Sequence, residues 1–160
     1  MKKEYAQWFA LAGFLILCFA AATLGSMLTA QSVGGWYNNL AKPSWNPPKG
    51  VFAPVWTALY TAMAFSAWLV WRRRGFRGAS GALGLFLLQL VLNVAWSGLF
   101  FGLRSPFLGF IDIVLLWFAI LATLIAFSRI NTLAGILFVP YLAWVSYAAA
   151  LNFAIWRLNP

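Results

Sequence analysis

The chain has 160 residues, of which 64% are hydrophobic, 19% aromatic and only 8% charged. Soluble domains carry roughly 45–50% apolar and about 25% charged residues, so a water-soluble globule is excluded and lipid is the expected solvent. Eleven Lys and Arg against two Asp and Glu leave a formal charge of +9, but these basic residues fall in the gaps between apolar runs, where they anchor helix ends to anionic headgroups rather than bind nucleic acid.

Crossing the hydrocarbon core takes roughly 20 apolar residues, and five runs meet that length. The first extends from about Gln7 to Ala30 without a charge. Lys2-Lys3 ahead of it and Ala20-Ala21-Ala22 within it resemble a cleavable signal peptide, but the run exceeds the about 7–15 residues of such a core, and a retained helix is expected. The link that follows, QSVGGWYNNLAKPSWNPPKGV from Gln31 to Val51, is long enough for a lid or binding loop. Gly34-Gly35 breaks the preceding helix, and Pro43, Pro47 and Pro48 stiffen the path. Trp36, Tyr37 and Trp45 in this link read either as a headgroup-level aromatic belt or as a cap over a cavity between helices. Length and stiffness together favour the cap.

The second span covers about Phe52–Trp71 and ends at Arg72-Arg73-Arg74, with Arg77 beyond. The third covers about Ser80–Leu103. It carries Gln89, Asn93 and Ser97 at i, i+4 and i+8, on one helix face. Inside a bilayer such a stripe faces protein or a wet cavity, as interhelical glue or as a group that orients a ligand's polar edge. Gly98 and Gly102 in the same span allow close backbone contact, with a second copy or with a neighbouring helix of the same chain. The fourth span, about Phe107–Phe127, holds Asp112, for which pairing with Arg104 is favoured over a proton relay, because no other span offers an ionisable partner. The fifth covers about Leu133–Ile155. None of the runs alternates with the period of two found in barrel strands, and no internal repeat suggests a transporter built from inverted halves.

The expected architecture is therefore all-α: one integral membrane bundle of five transmembrane helices, residues 1–160, with a long first loop at 31–51. Lys2, Lys3, Arg72, Arg73, Arg74, Arg77 and Arg129 lie on one side, and Lys42, Lys49, Arg104 and Arg157 on the other. That imbalance favours a cytoplasmic N-terminus. The single cysteine, Cys18, forbids an internal disulfide. The absence of histidine excludes histidine-ligated zinc or haem. With no carboxylate pair inside the membrane either, an ordinary hydrolase is not expected.

The stretch WYNNLAKPSWNPPKGVFAPVWTALY, from Trp36 to Tyr60, resembles the signature of the translocator protein family, also called tryptophan-rich sensory proteins or peripheral benzodiazepine receptors. The resemblance continues in QLVLNVAWSGLFFGLR, from Gln89 to Arg104, and in VPYLAWVSYAAALNFAIWRLN, from Val139 to Asn159. It implies a five-helix bundle binding porphyrins, sterols and synthetic aromatic ligands, often as a homodimer. It places Trp56 and Trp144 in a ligand pocket, with Phe52, Ala53, Val55, Tyr60, Ala148 and Leu151 along the walls. Asn93, Trp96 and Phe100 would contribute from the third span, Ser26 from the first, and Trp36 and Trp45 from the loop. Ala148 has a second reading, since Ala148-Ala149-Ala150 also lets helices pack closely.

Two departures from the family pattern narrow what transfers. Phe153 occupies the tyrosine place of the vertebrate sterol motif, so a tetrapyrrole is expected in preference to a sterol. Leu108 stands where mammalian members have a pocket tryptophan. The expectation is a receptor or transporter-like membrane protein of a bacterial cell envelope, taking porphyrin or haem as ligand under the first-loop cap, with no required cofactor and no metal site. The alternatives are an enzyme degrading porphyrin in a light- or oxygen-dependent way through Trp56 or Trp144, and a structural or regulatory membrane partner.

Overall fold

The computed structural model describes residues 2–160, with side chains from Tyr5 onward. Helix α1 (Lys2–Val33) leads into a loop containing a short helix, α2 (Trp36–Asn39). There follow α3 (Lys49–Gly78), α4 (Ser80–Ser97) continued by a π-helical turn over Gly98–Gly102, α5 (Pro106–Ile130) and α6 (Thr132–Leu158). Five of these are long and apolar enough to cross a membrane: α1, α3, α4 with its π turn, α5 and α6. The chain is thus an all-α, multi-pass membrane protein. The side chains of Lys2 and Lys3, counted above among the anchoring residues, lie outside the described residues.

Most helices run past the apolar spans. The Arg72–Arg77 segment, expected as a link, forms the last turns of α3, because arginine is a good helix former and leaving hydrocarbon does not by itself end a helix. The break comes at Gly75, whose φ of 67° and ψ of −179° suit glycine. Arg72 lies over the Trp68 ring, 4.6 Å from its centroid. Only Ala79 then separates α3 from α4, and only Asn131 separates α5 from α6. Asn131 caps α6 by accepting from the Ala134 N–H at 3.2 Å. At the other end of α3, the helix begins at Lys49, so Pro54 lies inside it. Having no N–H, Pro54 leaves the Gly50 carbonyl without its usual partner.

Consecutive membrane helices are antiparallel. Around the bundle the neighbours run α1, α3, α6, α5, α4 and back to α1. Apolar side chains such as Phe9, Ile16, Val91, Leu115, Phe118 and Ile136 are exposed, whereas Ser66, Gln89, Asn93, Asp112, Thr123 and Asn152 are buried. This inside-out distribution is what a lipid solvent demands. Asp112 and Arg104 do not form the expected pair. Arg104 stands exposed on the turn before α5, with φ 53°, while Asp112 faces inward about two turns along that helix with its Oδ2 lacking a hydrogen-bond partner.

The half of the bundle nearest the α3–α4 and α5–α6 links is closed by packing. Phe86 stacks on Phe127 at 6.0 Å, and Phe138 meets both rings edge-on. Met63, Ala67, Val70 and Ile120 fill the space around them. Trp68 Nε1 donates to the Gln7 carbonyl at 3.0 Å and ties α3 to α1. The Ser66 hydroxyl donates to the Ala134 carbonyl at 2.6 Å and ties α3 to α6. At Gly135, α6 approaches α5 so closely that a Cβ would lie 3.0 Å from Ser128 Cα and nearer still to its hydroxyl. Gly13, by contrast, faces open space.

Gly135→Ala should therefore destabilise the protein by about 1–3 kcal/mol through overpacking. Gly13→Ala should cost nothing, because a helix-interior glycine gains from alanine where there is room. Denaturant unfolding in detergent followed by helical circular dichroism separates the two. Equal stability of the variants would contradict the α5–α6 contact.

Candidate ligand-binding site

The other half of the bundle, beneath the first loop, is hollow. A cavity of about 600 Å³ lies between α1, α3, α4 and α6. Its floor is a hydrogen-bonded tie among three helices. Tyr60 of α3 donates its hydroxyl to Asn93 Oδ1 at 2.5 Å, and Asn93 Nδ2 of α4 donates to the Tyr141 hydroxyl of α6 at 2.9 Å. Both readings of the polar stripe thus meet at Asn93: it lines the cavity, yet its amide is already bonded across the bundle. Gln89, one turn deeper, is fully buried and turned away from the cavity, its Nε2 3.7 Å from Met63 Sδ and its Oε1 without a partner.

The walls are aromatic. On the α3–α6 side, Trp56 packs against Tyr60 at 5.6 Å and against Tyr141 at 6.2 Å, while Phe52 meets Trp144 edge-on at 6.0 Å. On the α4 side, Trp96 stacks on Phe100 at 5.3 Å with 25° between the planes. Trp96 is held by its indole N–H, which donates to Asn152 Oδ1 at 3.0 Å, and Asn152 Nδ2 donates in turn to the Pro106 carbonyl at 2.7 Å. Gly109 makes room for this arrangement, because a Cβ there would come 2.9 Å from Phe100 and 3.1 Å from Asn152 Oδ1.

The π turn positions the α4 wall. Its widened ladder turns both Phe100 and Phe101 into the protein, at 2% and 8% exposure. The Phe101 carbonyl accepts from the buried Ser32 hydroxyl of α1 at 2.7 Å. Such single π turns are frequent at functional sites. Gly98 lies 3.7 Å, measured from an added Cβ, from Leu28 of α1. Of the two contacts open to the glycine pair, this one is within the chain.

The first loop closes over this end. Trp36 packs on Phe100 and Tyr37 on Phe101, with centroids 5.7 and 5.4 Å apart. Ala41 and Asn159 exchange two hydrogen bonds, of 3.0 and 2.9 Å, that pin the loop to the end of α6. Tyr147 donates its hydroxyl to the Trp45 carbonyl at 2.7 Å, with the two rings 5.6 Å apart. Burial, with Tyr147 nearby, pushes the Tyr37 phenol above its ordinary pKa, so it stays neutral and donates to Asn46 Oδ1 at 3.3 Å.

Of the residues singled out in the sequence, Ser26, Phe52, Ala53, Trp56, Tyr60, Asn93, Trp96, Phe100, Trp144, Ala148 and Leu151 all line this one cavity. Trp36, Trp45 and Val55 do not. The two tryptophans hold the loop in place, and Val55 packs into the main core. The structure adds Thr23, Gly25 and Thr29 of α1, Tyr37 of the loop, Lys49 and Thr57 of α3, and Asn152 of α6. A signal for the α1 wall exists in the sequence, since Thr23, Ser26 and Thr29 recur at three-residue spacing in an otherwise apolar helix.

The tie across the floor should show as coupling. Tyr60→Phe and Asn93→Leu should each destabilise the protein, and a double-mutant cycle should give an interaction of about 0.6–1.7 kcal/mol, the span found for hydrogen bonds between membrane helices. Strict additivity in denaturant unfolding would contradict the bond.

Residues 14–157 match the family model described as TspO/MBR family. The chain is 45% identical to the tryptophan-rich protein TspO of Chlorobaculum tepidum, over 90% of this chain and 92% of that one. It is 40% identical to the tryptophan-rich sensory protein of Cereibacter sphaeroides, over 96% and 93% of the two chains. The human translocator protein is 39% identical over 95% of this chain and 91% of its own. With a family match over nearly its whole length and relatives at this level of identity in bacteria and in man, the chain belongs to the TspO/MBR family.

Proposed function

We propose that this membrane protein is a receptor, with transporter-like handling of its ligand, for flat hydrophobic molecules of the porphyrin class, protoporphyrin or haem, bound in the cavity beneath the first loop. The observation that carries the reading is the cavity itself. At about 600 Å³ it falls in the range of small-molecule sites, roughly 300–1,000 Å³. Trp56, Trp144 and Trp96 offer aromatic faces on two of its sides, suited to a planar ring system. Relatives carrying the names translocator protein and tryptophan-rich sensory protein fit a protein that recognises a ligand in the membrane. The ligand is cargo or signal, and no resident cofactor is called for. A sterol is not part of the proposal, because Phe153 stands half out of the bundle against Phe110 and Trp156 and offers no hydroxyl. A homodimer would use the exposed Gly102, which has nothing within 4 Å of an added Cβ.

Two substitutions test the cavity through protoporphyrin titration followed by tryptophan fluorescence. Trp56→Ala should weaken binding by roughly five- to thirtyfold through loss of a central aromatic contact. Ala148→Phe should weaken it by about tenfold to more than a hundredfold by overfilling the wall. Helical content and thermal melting near those of the parent establish that the fold is kept. Folded variants that bind as tightly as the parent would place the ligand elsewhere.

In a bacterial envelope membrane, the excess of basic residues on the side of the N-terminus and of Arg72–Arg77 favours a cytoplasmic location for that side, which would leave the cavity and its cap facing outward. Single cysteines introduced at Gln7 and Arg74 in a Cys18→Ala background should be labelled from the cytoplasmic face, and one at Ser44 from the opposite face. Labelling of Gln7 and Arg74 from different faces would break the topology.

A further inference from the structure

The first loop carries two lysines with different surroundings. Lys42 is spent on the loop itself: its ammonium donates to the Asn38 and Leu40 carbonyls at 3.2 and 2.9 Å and lies 4.8 Å from the centroid of the Tyr37 ring. Lys49, the first residue of α3, makes a single bond of 2.7 Å to a neutral acceptor, Asn38 Oδ1. It also lines the cavity, and among the described residues it is the only charged one that does. An ammonium has three N–H donors, so two remain for other partners.

Its place in the helix sharpens the point. A cation in the first turn opposes the helix dipole, and no side chain caps this end of α3, which follows Pro48. The start of α3 therefore brings together a lysine charge, the partial positive charge of the helix end and uncapped backbone N–H groups, all at the rim of a cavity whose deeper walls are Trp56, Trp144 and Trp96. Among the described residues no acidic side chain lines the cavity, and Asp112 belongs to α5, which contributes nothing to its wall.

We infer that Lys49 reads an anionic group on the ligand: the site takes an amphipathic molecule whose flat apolar body lies among the tryptophans and whose carboxylate projects to the loop end of the cavity, beside the Lys49 ammonium. This rests on the reading of the cavity as a porphyrin-class site and narrows it to carboxylate-bearing tetrapyrroles, as against neutral planar molecules. Lys49 is a specificity residue in this account. Its bond to Asn38 also links the ligand's charged edge to α2, the part of the cap that packs on Phe100.

The test compares protoporphyrin, a dicarboxylic acid, with its dimethyl ester, which keeps the ring and removes the charge. Binding of each is titrated into the protein in phosphatidylcholine nanodiscs, with empty nanodiscs subtracted. A partly exposed ion pair at the rim should give the diacid about a three- to fivefold advantage, shrinking as salt is raised. In Lys49→Met the two ligands should bind within about a factor of two of each other, and Lys49→Arg should restore the preference. Saturable ester binding by each variant reports that the cavity is intact. A preference for the diacid that survives in Lys49→Met, or that is missing in the parent while both ligands bind, would overturn the role of Lys49 and leave the porphyrin reading standing. Absence of saturable binding of either ligand to the parent would overturn the porphyrin reading and this inference with it.

Discussion

Hydrocarbon offers no hydrogen-bond partner, so a carboxamide carried into the middle of a membrane span must find its partners within the protein. Asn93 finds two, the hydroxyls of Tyr60 and Tyr141, and in doing so draws α3, α4 and α6 together at one level of the bundle. Below that level the helices close on Phe86, Phe127 and Phe138. Above it they part, and the space between them becomes the cavity. This buried, fully bonded amide thus divides a packed half from a hollow half, and the rigidity of the floor follows from each of the three helices holding the other two.

A hollow half would collapse or fill with lipid if its mouth were left open. The first loop prevents this by attachments of several kinds: the reciprocal bonds of Ala41 with Asn159, the Tyr147 hydroxyl on the Trp45 carbonyl, and the rings of Trp36 and Tyr37 on Phe100 and Phe101. Pro43 between these points, and Pro47 and Pro48 after them, limit the conformations that the loop would otherwise lose on docking. The π turn belongs to the same device. By adding a residue to the helix it turns two adjacent phenylalanines inward, both onto Trp96 and both toward the cap.

The five spans were legible because runs of this length and apolarity have few alternatives, and the side chains of Trp56, Trp144 and Ala148 were legible through the family blocks that contain them. Helix ends were less so. Nothing in a hydropathy run says that Arg72–Arg74 continue a helix, or that α3 starts ahead of Pro54, because propensity and capping act outside the hydrocarbon where apolarity is silent. The π turn left only Gly98 and Gly102 as traces, and these read equally as a packing motif. The loop tryptophans were assigned to the pocket because composition cannot tell a ring that faces a cavity from one that fastens its lid. Asp112 and Arg104 looked like partners by spacing, but the chain turns at Arg104 itself, whose φ is positive, and its side chain stands outward.

The central claim is that the aromatic cavity above the Tyr60–Asn93–Tyr141 tie is where this family member holds its ligand. A structure determined with protoporphyrin bound in lipid nanodiscs tests it most directly. The account predicts ring density between Trp56 and Trp144 on one side and Trp96 on the other, with the three-helix tie intact beneath it. Density on the outer, lipid-facing surface of the bundle, with the cavity unchanged, would contradict it.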